Sequence, residues 1–389
     1  MGMSRRLFMT AGAAWPLAAA ATWSLAAAAA EPGAPAPVAP AGVHFGALLP
    51  LSGPDGLVGD ECLRGVMMAL DDINAAGGIA GKPASLALID AYVQAQSAQA
   101  AQAAMAADRT AFLLGSGSSG FSYPGSAAAE LAQLPYIELS AAADGITGRG
   151  FRFLLRTTVT TSMIASVAVA AMAARYPGRK IGLLFNTGAE AGAVAAAALA
   201  LWGQAKTPVR LSIGYGETVL DLRAQAGRMQ RAGVEVLLHA AGADDVLQLF
   251  TAMRDIGWRP AAIFGCGPGY GLRESALALG PALEGTFVAG APFYPARAQY
   301  LADAYQERFD MQPRSADSLS CYVGAKLVLD ILNQTGGDSI KLLESLRRVN
   351  IPTGTLANGW GVAFDRNGQN QLAFANLQQW QSGVLKTLS

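Results

Sequence analysis

Short apolar runs alternate with amphipathic helical stretches along almost the whole chain, and the alternation runs through twice. In the first series Val43–Leu49, Ser85–Asp90, Ala111–Leu114, Tyr136–Leu139 and Phe151–Arg156 read as strands. Leu63–Ala75, Gln94–Ala107 and Tyr123–Gln133 between them read as helices. Brief apolar strands separated by helices need a parallel sheet covered on both faces, because each crossover carries a helix back over the sheet. The second series repeats the pattern with strands at Lys180–Phe185, Val209–Ile213, Val234–His239 and Ala261–Phe264. Its helices fall at Ser162–Arg175, Ala189–Trp202, Leu220–Ala232 and Asp244–Ile256. No sequence repeat links the halves. Two units of this size, each with its own core, fit two lobes better than one large sheet. Helices at Ala296–Phe309, Ala316–Asn333 and Ser339–Val349 follow, and Trp360–Phe364 with Leu372–Trp380 reads as a terminal hairpin around Asp365-Arg366-Asn367-Gly368.

The N-terminus has a different character. Ser4-Arg5-Arg6-Leu7-Phe8-Met9 precedes a long Ala-rich apolar stretch that ends at Ala28-Ala29-Ala30. Paired arginines, a mild apolar region and an A-x-A site are the parts of a twin-arginine secretory signal over residues 1–30. Pro16 and the cleavage pattern argue against a retained anchor. Residues 31–41 alternate Pro, Ala and Gly, a spacer composition. The working protein is therefore expected outside the cytoplasm, in the periplasm, with no spanning segment of its own.

Composition narrows the function classes. The 389 residues carry zero formal net charge and no long charge run, which argues against a nucleic-acid partner. Cys62, Cys266 and Cys321 show no metal-ligand spacing, and His44 and His239 stand far apart, so no metal is expected. A single disulfide remains open, with Cys266 and Cys321 as the pair considered.

Gly115-Ser116-Gly117-Ser118-Ser119-Gly120 fits the dinucleotide pattern G-x-G-x-x-G, between a strand and a helix. Glu138 ends the next strand at about the 20-residue spacing that a ribose-binding acid requires. This supports an exported nicotinamide-dependent oxidoreductase as a rival reading. Three features oppose it: the motif follows the third strand of its lobe rather than the first, Pro124 and Gly125 disturb the helix start, and no proton-transfer arrangement lies nearby. No catalytic residue and no cofactor are assigned.

Two further segments belong together. Gly46-Ala47-Leu48-Leu49-Pro50-Leu51-Ser52-Gly53 runs a strand into a turn, and Asp71-Asp72-Ile73-Asn74-Ala75-Ala76-Gly77-Gly78-Ile79-Ala80-Gly81-Lys82 ends a helix on glycine stops. In this order and spacing they resemble the type I periplasmic solute-binding proteins of ABC transporters, the branched-chain amino acid (Leu/Ile/Val)-binding family. The resemblance extends through Gly115–Ser119, Pro135–Ala142, Gly150–Arg156 and Phe364–Gly368, essentially the whole mature chain. It implies an α/β fold of two Rossmann-like lobes joined by a three-crossing hinge, with crossings near Thr157, Ala289 and Asn350–Thr355. Lobe 1 takes residues 42–157 plus 290–352, and lobe 2 takes 158–289 plus 353–389.

The resemblance also implies contact residues. Ser118 and Ser119, with free N–H groups at the following helix start, form an anion site for a solute carboxylate. Ser140 offers a hydroxyl, Ala141 a carbonyl for an amine, and Ala142 stands where a Thr is expected. The acid that pairs with a ligand ammonium in amino-acid binders is missing from Gly265-Cys266-Gly267-Pro268-Gly269-Tyr270. Either Glu190 supplies that charge from a neighbouring loop or the solute carries no amine. The second is preferred: a small organic acid, aromatic acids included, with Tyr270 stacking on it. His239 is read equally as a packed residue or a contact.

The reading is thus a monomeric binding component of an importer, with a small solute and ABC transporter membrane subunits as partners. A ligand-sensing domain of the same fold is the other alternative.

Overall fold

The structure, a computed structural model, describes residues 42–91, 99 and 110–388. The signal (1–30), the spacer (31–41) and, residue 99 apart, the helix expected over Gln94–Ala107 lie outside the described residues.

Five strands form the first sheet: β1 (Val43–Leu49), β2 (Ala84–Asp90), β3 (Leu113–Gly115), β4 (Tyr136–Glu138) and β5 (Leu154–Arg156). All pair in parallel, in the order β2-β1-β3-β4-β5. The second sheet contains β6 (Ile181–Asn186), β7 (Val209–Tyr215), β8 (Val236–Ala240), β9 (Ala262–Cys266) and β10 (Phe287–Gly290). Those five repeat the same order, and a two-stranded ribbon, β11 (Asn350–Ile351) with β12 (Val362–Ala363), stands outside both sheets. Antiparallel β13 (Asn376–Gln381) and β14 (Val384–Thr387) extend the second sheet beyond β10.

Each sheet is buried on both faces, as the unbroken apolar runs require. One core packs β1, β3 and β4 against the helices Gly56–Ala75 and Ala316–Gln334; a second lies under the helix Ser119–Leu131. Gly65 lets the first two helices meet backbone to backbone, since a Cβ there would lie 2.1 Å from the Ser318 carbonyl oxygen. The second sheet has a core on each side likewise. The three cysteines are free and buried. Cys62 and Cys321 share the core of the first sheet, whereas Cys266 lies in the core of the other sheet.

The chain crosses between the sheets after β5, after β10 and through the ribbon. The first crossing is clamped by the C-terminal turn. Arg156 is fully buried; its Nε donates to Gln369 Oε1 (2.5 Å) and its Nη1 to the Ala143 carbonyl (2.7 Å). Gln369 Nε2 donates to the Thr158 carbonyl, and Asn370 Nδ2 to those of Thr157 and Gly361.

Two sequence expectations need correction. The expected hairpin is displaced: Asp365–Gly368 does turn, but Val362–Ala363 pairs with Asn350–Ile351, and the true terminal hairpin joins β13 to β14 through Ser382-Gly383. Both residues of that turn have positive φ, the geometry a two-residue hairpin demands. The helix expected from Tyr123 starts at Ser119 and runs through Pro124, giving up the hydrogen bond that residue 124 would donate.

Candidate cleft between the sheets

In sheets with this strand order, ligands bind at the C-terminal strand edges, where the order reverses. Here a cavity of about 90 Å3 is lined from both sheets' loops: Ser140, Ala142 and Thr158 from the first, Glu190, Gly267 and Pro268 from the second. Asp317, in the first turn of Ala316–Gln334, also lines it.

The glycine-rich loop after β3 is organised by Glu138, which is fully buried. Its Oε1 accepts N–H bonds from Ser116 (2.6 Å), Leu139 (3.0 Å), Ser140 (3.1 Å) and Ala141 (2.9 Å). Its Oε2 accepts the hydroxyls of Ser116 (3.0 Å) and Ser122 (2.6 Å). This counts against the dinucleotide reading of the loop: the acid that would face a ribose turns back instead onto its own loop and the Ser116 N–H.

The first-lobe candidates are brought together, but nearly all are engaged. The Ser118 side chain lies beside Asp55 and opposes the rise of its pKa. Ser119 Oγ donates to Glu190 Oε2 (2.7 Å) and accepts from the Ala143 N–H (3.1 Å). Ser140 Oγ donates to Asp317 Oδ1 (2.5 Å). The Ala141 carbonyl, expected to meet an amine, instead accepts a long bond from Arg156 Nη1 (3.4 Å). The Ala142 N–H points to Glu190 Oε2 (3.2 Å). Arg156 lies beneath these loops; burial lowers its proton affinity, and the Glu138 carboxylate partly restores it.

Glu190 stands in the first turn of Ala189–Gln204 and reaches from the second lobe onto the first. Burial raises its pKa; the Ser119 and Ala142 bonds oppose the rise, and the nearby Asp317 and Asp55 add to it. Asp317 is raised by burial too, against hydrogen bonds from Ser140 and Ser315. Asp55 is raised by burial first, then by Asp244, Glu217 and Asp245 across the cleft. Among the described residues no lysine or arginine lines the cavity. A bare acid would therefore meet like charge, which counts against the preference for an amine-free solute.

Tyr270 is not in the cleft, and the stacking role expected of it is corrected. Its ring lies over Gly265, where a Cβ would come within 2.2 Å of the ring Cγ, and the residue is fully buried in the second-lobe core. Its hydroxyl meets His239 Nδ1 at 2.7 Å, and His239 Nε2 meets the Tyr215 hydroxyl at 2.8 Å. Tyr215 donates to Asp245 Oδ2 (2.9 Å). Burial pushes the His239 pKa down to about 3, so the ring is neutral, and the chain of polar groups is a satisfied core network.

Sequence reasoning missed Asp317 and Asp55. Ser315-Ala316-Asp317 carried a signal: Ser315 Oγ caps the helix by accepting the Asp317 N–H, which fixes the acid in the first turn. Among the described residues no cluster of three or more ligating side chains stands ready for a metal, and no helix is long and apolar enough to cross a membrane.

The sequence matches the family described as periplasmic binding protein over residues 42–383. It is 32% identical over 365 residues to the Leu/Ile/Val-binding protein homolog 8 of Brucella abortus, covering 90% of each chain. The fold is similar to the branched-chain amino acid transporter substrate-binding protein of Streptococcus pneumoniae in complex with isoleucine (TM-score 0.79, 19% identity, 89% of this chain and 99% of that one). It is also similar to an ABC transporter solute-binding protein of R. palustris in complex with benzoate (TM-score 0.77, 16% identity, 90% and 96%).

Proposed function

This chain belongs to the periplasmic binding protein family, and from that premise we propose that it captures a small solute outside the cytoplasm and delivers it, unaltered, to the membrane subunits of an ABC importer. The observation that carries this reading is the cavity at the facing C-terminal strand edges, lined by side chains from both sheets. Lobe 1 is then residues 42–157 plus 290–352 and lobe 2 residues 158–289 plus 353–389. They close about the crossings after β5, after β10 and at the ribbon, and the closed monomer is the form the importer meets. On this reading no bond of the solute is broken, as capture and delivery require.

The Brucella relative is named for leucine, isoleucine and valine, and the two structural neighbours hold isoleucine and benzoate. Both an amino acid and an organic acid fall within that range. The acidic lining favours the amino acid, whose ammonium Glu190 and Asp317 can pair. The carboxylate would bind at Ser119 and the Ala142 N–H, with Ser118, Ser140 and Ala141 shaping the wall. A thermal-unfolding screen of the purified protein against amino acids, aliphatic acids and aromatic acids tests the reading. A saturating ligand raises Tm by mass action, by roughly 2 °C or more. Turnover of any of these compounds would refute transport binding.

Residues 1–30 are, on this reading, a twin-arginine signal cut after Ala30. N-terminal sequencing of protein from the periplasmic fraction should begin at Glu31. A ligand-sensing role would place the same cleft against a regulator; association with a permease, detected by co-purification, decides for import.

A further inference from the structure

We propose that Glu190 fills the anion-binding position of the cleft with the protein's own carboxylate, so that the solute is selected by its cation and an amine-free acid is refused. This rests on the solute-binding reading above and narrows it.

The side-chain donors of the two first-lobe loops, and the N–H groups of the second loop, are nearly all spent inside the lobe. Glu138 takes the N–H groups of Ser116, Leu139, Ser140 and Ala141. The Ser118 side chain faces Asp55, and Asp317 takes the Ser140 hydroxyl. The Ser119 hydroxyl and the Ala142 N–H remain, and both converge on one oxygen, Glu190 Oε2, at 2.7 and 3.2 Å. Two convergent donors at hydrogen-bond distance are what a carboxylate requires. The pair is therefore a working anion site, and its occupant comes from the opposite lobe.

A solute carboxylate cannot join Glu190 there, because two carboxylates within a few ångströms do not both ionise. Nor, among the described residues, does a cation line the cavity to compensate. Arg156 donates to Gln369, Thr147 and the Ala141 and Ala143 carbonyls, and stays beneath the loop. The charge that does face the cavity is a second carboxylate, Asp317. An entering ammonium or guanidinium gains both acids at once: Oε1 of Glu190 accepts no hydrogen bond among the described residues, and Asp317 lines the same cavity. A zwitterion can also bind, if its carboxylate displaces Glu190 while its ammonium holds it.

The test needs no knowledge of the natural solute. Thermal unfolding of the wild-type protein and of Glu190→Ala is followed with sodium acetate, ethylamine hydrochloride or sodium chloride, at equal ionic strength. Acetate should raise the Tm of Glu190→Ala, by roughly 2 °C or more near saturation, and leave wild type at its chloride value. Ethylammonium should do the reverse. Glu190→Gln keeps an oxygen acceptor in place without the charge, so it should not respond to acetate and should respond to ethylammonium less than wild type, with Asp317 alone to pair it. Equal acetate responses in wild type and Glu190→Ala would overturn the proposal, as would an acetate response in wild type alone. Should Glu190→Ala not fold, Glu190→Ser exposes the same two donors and carries the same comparison. The solute-binding reading fails by a different readout, the solute screen, so the two failures are told apart.

Discussion

The two halves of the cleft share a strand order and use it differently. In the first lobe the strand ends carry polar loops drawn tight around a buried acid, Glu138, with Arg156 beneath them. In the second lobe the corresponding polar groups, Asp245, Tyr215, His239 and Tyr270, turn inward into the core, and the rim is left to Gly267 and Pro268. Gly267 sits at φ +117°, and a Cβ there would lie 2.1 Å from the Ala241 carbonyl oxygen, so this rim is fixed by close backbone packing. One fold thus yields a face that holds donors and a face that supplies shape, with Glu190 as the acid the second lobe hydrogen-bonds onto the first. Strand order fixes where a cleft lies; which side carries its chemistry is decided by whether buried acids face the loops or the core.

Several substitutions would break or sharpen this contrast. The largest effect is expected from Glu138→Ala, which takes this acceptor from four N–H groups and three hydroxyls; urea unfolding should show a loss of about 3–5 kcal/mol, and solute binding should go with it. A loss under 1 kcal/mol would mean the first lobe is not organised by that acid. Gly265→Ala drives a methyl into the Tyr270 ring and should cost about 1–3 kcal/mol by the same measurement. Asp317→Asn removes one of the two cavity acids, and titration calorimetry with an ammonium-bearing ligand should show affinity falling roughly tenfold. Tyr270→Phe loses one buried hydrogen bond to His239, about 1 kcal/mol, and should leave solute affinity unchanged; a weakened affinity would return Tyr270 to the cleft.

The smallest effect is a pH trend. Burial raises the Glu190 pKa above its unfolded value, so the folded state holds this proton more tightly. The stability it contributes is complete below the unfolded carboxylate pKa and is lost as pH rises through the raised one. Glu190→Gln should therefore gain Tm on wild type between acid and neutral pH; a gap independent of pH would place the charge in solvent.

Much of the fold was legible because its signals are local. The range read for β1 and the range found coincide, Val43–Leu49, and the βα rhythm carried through both lobes. The tail was misread because its pairing is not local. β13 lies beside β10, about 90 positions earlier in the chain, and no turn sequence announces that partner. Asp365–Gly368 looked like the stronger turn and is a turn, but Ser382-Gly383 closes the hairpin. At the cleft, Ser119, Ala142 and Glu190 were found, since small and polar residues at strand ends have few other uses. Their partners were not, because an acid's direction is set by burial: Glu138 at its strand end looked like a ribose contact until its neighbours' N–H groups were seen to claim it. Tyr270 failed for the same reason in reverse. An aromatic next to glycines suits a ligand wall and a core equally, and Gly265 drew it inward.

The clamp between Arg156 and Gln369 has a consequence for how the molecule is made. Residues that set the first hinge are supplied from 213 positions downstream. The amino-terminal lobe, although its sheet ends at Arg156, cannot lock its exit until the segment around Gln369 has left the ribosome. Folding of the jaw therefore waits for that distant segment, and a chain truncated before Asp365 would emerge with its hinge carbonyls unclaimed.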